Sequence, residues 1–160
     1  MSRVISDTQM RVSELFRIRL NALIADSDFS IYEFAEKANI SRGVITRATI
    51  YGIIPSVQPL IKIADTLNVS LEYLLSLTDN NSFEPSISQT TFHQRIQSLC
   101  SENNLKFSQL GKHMPFNVNL YYDWQREHTL PSLDYLLAIA DYFSVSPDYL
   151  LGRSDDKNNF

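Results

Sequence analysis

The sequence predicts an all-α protein made of two tandem five-helix domains joined by a short polar linker. Apolar residues recur at helical spacing, no stretch alternates as a strand would, and one framework occurs twice within the 160 residues. The repeated positions, each 76 residues before its counterpart, are Pro55-Ser56 and Pro131-Ser132, Ile63-Ala64-Asp65 and Ile139-Ala140-Asp141, Val69-Ser70 and Val145-Ser146, and Tyr73-Leu74-Leu75 and Tyr149-Leu150-Leu151. A repeat this long exceeds a solenoid unit, so each copy is expected to bury a core of its own.

The repeat also sets the expected domain boundaries. We assign residues 11–79 to the first domain, residues 80–91 to the linker and residues 92–155 to the second domain. The linker residues are mostly polar, and Glu84 stands before a proline, which disfavours helix at that point. Each copy is close to the lower limit for independent folding, so modest stability is expected.

Each domain is predicted to open with an amphipathic helix. In the first copy its apolar face consists of Leu15, Ile18, Leu20, Leu23 and Ile24. In the second copy the face consists of Phe92, Ile96, Leu99 and Cys100. Cys100 is the single cysteine and stands opposite Ile24 in the repeat, which predicts a buried structural thiol rather than a reactive one.

The second helix of the first copy has a capping-box sequence. The Ser30 hydroxyl is expected to accept from the Glu33 amide while the Glu33 carboxylate reaches back. In the second copy Lys106 replaces the serine, so that side-chain cap is lost. The inward residues of the first-copy helix are predicted to be Phe34, Ala35 and Ala38.

A tight connection precedes the third helix, whose predicted N-caps are Ser41 in the first copy and Asn117 in the second. Gly52 is expected to supply the left-handed residue that ends this helix in the first copy. The predicted inward residues are Val44, Ile45 and Ala48 in one copy and Leu120, Tyr121 and Trp124 in the other.

Proline begins the fourth segment of both copies, and Ser56 and Ser132 are its predicted caps. The apolar stripes are Leu60, Ile63, Ala64 and Leu67, and in the second copy Leu136, Ile139, Ala140 and Phe143. A short fifth helix is expected to follow in each copy.

The charge and composition exclude several classes of protein. With 44% hydrophobic and 20% charged residues the chain has the composition of a soluble protein, and it has neither a signal-type apolar segment nor a membrane span. The net charge of −4 argues against coating nucleic acid through bulk charge, although a local basic face remains compatible with it. A lone cysteine suits a reducing cytoplasm.

No catalytic or metal-binding pattern is present in the sequence. The three histidines, His93, His113 and His128, are scattered and form no zinc-type spacing. The four glycines are too dispersed for a phosphate-binding loop. We therefore expect neither a metal nor a cofactor, and no enzyme activity.

Two helices joined by a short turn, the second with basic outward residues, are typical of the helix-turn-helix that reads the DNA major groove. Residues 34–41, Pro55-Ser56 and residues 60–65 resemble the Cro/repressor-type (XRE-type) helix-turn-helix domain of phage and bacterial transcriptional regulators. Residues 130–136 and 139–152 resemble the end of the same domain in the second copy. The resemblance implies two lambda-repressor-like domains.

The resemblance implies that the third helix of the first copy lies in the major groove. Its outward residues Arg42, Gly43, Thr46 and Arg47 are then the candidates for contact with bases, and Ser41 is the candidate for contact with phosphate. An arginine can bind guanine O6 and N7 with two hydrogen bonds. Gly43 has no side chain to read with, so it is expected to permit close approach.

The same helix of the second copy carries a different set of outward residues. They are Asn117, Val118, Asn119, Tyr122 and Asp123, followed by Arg126. Asn119 has the chemistry to pair with adenine and Arg126 to contact phosphate, whereas Asp123 repels the DNA backbone unless it accepts from cytosine. Contact with DNA and contact with a protein partner are both open for this face.

The sequence therefore predicts a regulator of transcription that binds double-stranded DNA mainly through its first domain. A repressor of phage or mobile-element type is expected, acting as a homodimer on paired half-sites or engaging two half-sites with one tandem chain. The alternative is a protein-interaction module, such as an antitoxin, phage-encoded inhibitor or assembly partner, which keeps the fold without strong DNA binding. The acidic charge and the altered second copy motivate it.

Overall fold

The computed structural model describes residues 11–157, and these residues fold into ten α-helices with one isolated antiparallel bridge, between Val12 and Ile53. The predicted all-α class is confirmed. Contacts between α-carbons divide the chain into two compact units, whose described parts are residues 11–83 and 84–157, and each unit is described by itself. The domain bounds at 11–79, 80–91 and 92–155, and the tandem arrangement, stay predictions.

The first unit contains five helices. They are α1 (Glu14–Asp26), α2 (Ile31–Ala38), α3 (Arg42–Tyr51), α4 (Val57–Leu67) and α5 (Leu71–Leu74). Helix α1 packs on α3 and α5, and α2 packs on α3 and α4. The largest fully buried side chains at the centre of this unit are Phe16, Leu20, Phe34, Ile45, Leu60, Ile63, Leu71 and Leu74.

The second unit also contains five helices. They are α6 (Phe92–Glu102), α7 (Phe107–Leu110), α8 (Val118–Glu127), α9 (Leu133–Phe143) and α10 (Pro147–Leu150). Helix α7 has four residues where α2 has eight. Its fully buried large side chains include Ile96, Leu110, Tyr121 and Leu136.

The predicted inward face of α1 is partly wrong. Leu15 and Ile18 are 65% and 53% exposed, whereas Phe16, which was not expected inside, is fully buried. Phe16, Leu20 and Ile24 are spaced four residues apart, and this row faces the rest of the unit. Because α1 carries apolar residues on several sides, its periodicity alone did not identify the buried row.

The four predicted serine caps are confirmed as the N-cap residues of α2, α3, α4 and α9, namely Ser30, Ser41, Ser56 and Ser132. Ser30 accepts from the Glu33 amide at 3.3 Å and Ser41 from the Val44 amide at 3.1 Å, although the return bond expected from the Glu33 carboxylate is not formed. Ser56 is the N-cap residue of α4 without a side-chain hydrogen bond. In the second unit the full capping box is at α6, where Thr91 and Gln94 bond reciprocally.

In each unit an arginine of the first helix contacts a tyrosine of the last helix, and Arg95 is buried while Arg19 is partly exposed. Arg19 donates to the Tyr73 carbonyl at 2.8 Å, and its guanidinium lies 4.0 Å from the centre of the Tyr73 ring. In the second unit the Arg95 guanidinium lies 4.2 Å from the centre of the Tyr149 ring. Arg95 stands 76 positions after Arg19, and Tyr149 stands 76 positions after Tyr73, so the contact recurs at equivalent positions of the sequence repeat.

Part of the segment predicted as linker is bonded to the second unit. Ser86 donates its amide to the Arg153 carbonyl at 2.7 Å, and the Asp155 carboxylate accepts from Ser86, Ser88 and the Ile87 amide. These hydrogen bonds, with that from Arg95, hold the pKa of Asp155 well below its usual range. Residues 86–88 therefore belong structurally to the second unit.

The thiol of Cys100 is buried, as predicted, and burial raises its pKa. Over residues 11–157, no helix combines the length and the apolar character that crossing a membrane requires. Within the same residues, no cluster of three or more histidine, cysteine, aspartate or glutamate side chains is arranged to hold a metal ion.

Candidate nucleic-acid interface

Helices α2 and α3 are joined by a three-residue turn. Asn39 ends α2 in the left-handed conformation, with φ of 57°, and the Ile40 amide donates to the Ala35 carbonyl at 3.0 Å. From α4, the Lys62 ammonium donates to the Asn39 carbonyl at 3.3 Å. The geometry is that of two helices joined by a short, fixed turn.

Ser41 stands at the N-terminus of α3 with an exposed side chain. Its oxygen accepts from the Val44 amide, which leaves the hydroxyl hydrogen available to donate outwards. The first amides of a helix have no partner within the helix, and the helix dipole favours negative charge beside them. This end of α3 is therefore suited to a phosphate group.

Arg42 is positioned by an aromatic side chain that the sequence analysis did not select. Its guanidinium lies 4.7 Å from the centre of the Tyr32 ring, and Tyr32 is half exposed near the start of α2. A cation over an aromatic face is attracted by the ring quadrupole. The sequence contained one signal for this contact. With Phe34, Ala35 and Ala38 facing inward, Tyr32 is an aromatic residue on the outward side of the short helix before the turn.

Arg47 extends back along α3 towards Gly43. A β-carbon on Gly43 would lie 3.1 Å from Nη1 of Arg47, so the missing side chain leaves room for the guanidinium. Helical side chains generally point towards the N-terminus of their helix, which places the residue at i+4 over the residue at i. Gly43 therefore shapes the position of Arg47 on the exposed face.

The opposite face of α3 is held firmly in the unit. Ile45 and Ala48 are fully buried, and Thr49 donates its hydroxyl to the Ile45 carbonyl at 2.7 Å. The Asn21 amide group of α1 donates to the Thr49 and Arg17 carbonyls, each at 2.9 Å. The exposed face therefore belongs to a helix whose other side is anchored in the core of the unit.

The exposed face of α3 is basic. The helix contains two arginines and no carboxylate, and among residues 11–157 neither Arg42 nor Arg47 forms an ion pair with a carboxylate. Thr46 is partly exposed on the same side of the helix. The structure thus places Ser41 at the N-terminus of α3, and it places Gly43 and the side chains of Arg42, Thr46 and Arg47 on the outward side of that helix.

The corresponding face of α8 is different. Asn117 caps this helix by accepting from the Asn119 amide at 2.9 Å, and both asparagines are exposed. Tyr122 is also exposed. Arg126 forms an ion pair with Asp123 one turn earlier, so its guanidinium is partly neutralised on its own helix.

The model of the family described as Helix-turn-helix matches residues 22–74, the segment that contains α2, the turn and α3. Residues 22–74 therefore form an XRE-type helix-turn-helix domain, and such a domain implies binding to DNA.

The chain is also similar to a curated protein of Bacillus subtilis (strain 168), the uncharacterized HTH-type transcriptional regulator YobD. The two are 33% identical over 63 residues, which are 39% of this chain and 56% of YobD. The match thus spans about half the length of that relative. No solved structure significantly matches the chain.

Proposed function

We propose that the protein is a sequence-specific regulator of transcription that binds double-stranded DNA with α3 in the major groove. The observation that carries this proposal is the exposed face of α3, where two arginines without carboxylate partners are positioned by Tyr32 and by the gap at Gly43. Arg42 and Arg47 would read bases, Thr46 would contact them from between, and Ser41 would bind phosphate. The proposed role is binding rather than catalysis, in the cytoplasm.

The finer assignment is a repressor of the phage or mobile-element type, with two tandem helix-turn-helix domains. One observation supports the tandem arrangement. An arginine guanidinium lies over a tyrosine ring at equivalent positions of both units, Arg19 over Tyr73 in the first and Arg95 over Tyr149 in the second. Regulators of this class pair two domains on half-sites about one DNA turn apart. A homodimer or a single tandem chain would meet this requirement.

The second unit is the weaker candidate for contact with DNA. Its α8 carries Asp123 and Glu127 as well as Arg126, and the ion pair between Arg126 and Asp123 reduces the charge offered to phosphate. Exposed Tyr122 suits a protein surface equally well. We therefore keep a protein partner as the alternative role of this unit, and a protein-interaction module as the alternative function of the chain.

The test is selection from random DNA duplexes, followed by titration of the selected sequence at several salt concentrations. A regulator should enrich one motif, and its binding constant should fall with salt as several counterions are released. Two half-sites in the motif, with the mass of the complex measured by sedimentation, would distinguish a homodimer from one tandem chain. Absence of any enriched motif at low salt would reject the proposal.

The role of α3 is tested with the double variant Arg42→Ala, Arg47→Ala. It changes only exposed side chains of α3, so its thermal unfolding should stay close to that of the original protein. If the double variant enriches the same motif equally well, α3 is not the reading helix.

A further inference from the structure

Helix α1 has a second apolar row, on the side that faces away from its unit. The four members of this outer row are all exposed, and they are Leu15, Ile18, Ala22 and Ala25. Successive residues of an α-helix are about 100° apart, so the outer row lies opposite the buried row that begins at Phe16. A helix that is apolar on opposite sides is normally covered on both.

The first helix of the second unit has no such row. The residues 76 positions later stand at the N-cap and on the outer side of α6, and all are polar and exposed, namely Thr91, Gln94, Ser98 and Ser101. The buried rows of the two helices, in contrast, are both apolar. An outer side that meets only water needs no apolar residues, as α6 illustrates. The outer row of α1 therefore indicates a surface that another helix covers.

The spacing of the outer row is that of a seam between paired helices. Its intervals of three, four and three residues are those of the a and d positions of a coiled coil. The large side chains, Leu15 and Ile18, come first, and the two alanines follow.

This order of large and small residues selects the covering helix. In an antiparallel pair of identical helices, Leu15 meets Ala25 of the other copy. Ile18 meets Ala22 in the same way, so every layer combines one large and one small side chain and can pack closely. A parallel pair would crowd large residues together at one end and leave a gap between alanines at the other.

The charges of α1 are also complementary to those of an antiparallel copy. Arg17 and Arg19 outnumber Glu14 in the first half of the helix, whereas the second half has Asp26 as its single charged residue. A carboxylate in the last turn is unfavourable beside the negative end of its own helix dipole. In the antiparallel pair, Asp26 of each copy lies beside the positive start of the other α1, where its charge is favourable.

We propose that the outer side of α1 is a docking surface for a second copy of this chain, whose α1 packs on it antiparallel across a two-fold axis. The same patch then serves both copies, as a two-fold interface requires. One 13-residue helix per copy makes a contact below the roughly 800 Å² per partner of a standard interface, so we expect a dimer that dissociates at micromolar concentrations. This pairing goes beyond the proposed function and does not depend on binding to DNA.

The first test is analytical ultracentrifugation of the full chain, without DNA, over the micromolar range. The original protein should show a monomer–dimer equilibrium. The double variant Ile18→Gln, Ala22→Ser receives the residue types of Gln94 and Ser98, which α6 carries on its exposed side, so it should fold. Its dimer should be weaker by roughly tenfold or more, because the two-fold axis repeats each change in both copies.

The matched control is Ile87→Gln. Ile87 is 96% exposed and lies outside α1, so this variant loses an exposed apolar side chain without touching the outer row. Its dimer affinity should equal that of the original protein.

Cross-linking tests the antiparallel orientation separately. Leu15→Cys and Ala25→Cys are prepared as chains of distinguishable size, mixed and treated with a short bismaleimide. The reagent should join the two different variants to each other, whereas a parallel pair would join each variant to itself. Because Cys100 is buried, the original protein should not be cross-linked and provides the background.

Three results would overturn the proposal: a monomer at every concentration, a double variant that dimerises as tightly as the original protein, or cross-links that join like variants. A monomer in which Leu15→Cys also resists alkylation would show that another part of the same chain covers the row. Thermal melts confirm that each variant folds. A monomer would still be able to enrich a DNA motif, so this proposal and the proposed binding to DNA fail separately.

Discussion

The guanidinium of Arg47 lies over Gly43, with Nη1 only 3.1 Å from the point where a β-carbon would stand. The two residues are one helical turn apart, so the side chain of one occupies the space that the other leaves. The sequence suggested that Gly43 permits close approach of DNA. The structure adds that Gly43 determines where Arg47 can place its charge.

Gly43→Ala should separate stability from DNA binding. Alanine is the better helix former by roughly 1 kcal/mol, so the free energy of unfolding should rise or stay unchanged. The new methyl group meets only the flexible end of Arg47, which must move away. Affinity for the selected DNA should fall, measured by fluorescence anisotropy beside a thermal melt. Unchanged affinity, with Arg47→Ala weakening binding, would contradict this role of Gly43.

Arg42→Ala and Arg47→Ala should each weaken binding by about 1–3 kcal/mol and relax the preference at one base position. The reason is the loss of two-fold hydrogen bonding to a guanine edge. Asn119→Ala should have a smaller effect, because the α8 face is partly neutralised by its own ion pair. Selection from random duplexes with each variant measures both quantities. Equal losses from Arg47→Ala and Asn119→Ala would show that both units read DNA equally.

Tyr32 should act through its ring. Tyr32→Leu removes the aromatic face beside Arg42, whereas Tyr32→Phe keeps it, and the residue is exposed enough for both variants to fold. We expect Tyr32→Leu to weaken DNA binding a few-fold, since the contact is worth about 0.5–1 kcal/mol at exposed sites. Tyr32→Phe is the matched control and should bind normally. If both variants lose the same affinity, the hydroxyl rather than the ring matters.

The ends of α3 and α8 should respond oppositely to substitution. Gly52 and His128 end these helices with φ of 69° and 55°, and a β-carbon on Gly52 would lie 2.7 Å from the Ser13 carbonyl oxygen. Gly52→Ala should therefore lower the free energy of unfolding by about 1–3 kcal/mol, and His128→Gly should raise it by about 0.5–1 kcal/mol. Urea titrations of the two variants measure both changes.

Acid should destabilise the second unit through Asp155. Its hydrogen bonds to Ser88, Ser86 and Arg95 hold its folded-state pKa below the unfolded value of about 3.9, so the folded protein binds fewer protons. The contribution to stability is complete above that unfolded value and is lost as the pH falls towards the folded-state pKa. Thermal melts between pH 7 and pH 3 should show a smaller acid loss in Asp155→Asn than in the original protein. Asp141→Asn, on the exposed side of α9, serves as the control.

Much of the helical framework could be predicted because its determinants are local. The Ser30 and Ser41 caps, and the left-handed end at Gly52, depend on a few neighbouring residues and are present as expected. The buried row of α1 could not be predicted in the same way. Leu15 and Phe16 are both apolar, and only the packing of α1 on α3 and α5 decides which one is buried.

The same distinction between local and tertiary determinants applies to the candidate DNA-binding site. The sequence by itself determined a helix-turn-helix segment with Arg42 and Arg47 on the outer face, because helical spacing and capping chemistry act over one or two turns. Only the tertiary structure decided that Tyr32 supports Arg42. The same holds for the ion pair on α8 and for the exposure of the outer row of α1. These relationships join separate elements, and their geometry depends on how closely the helices pack rather than on the residues beside them in the chain.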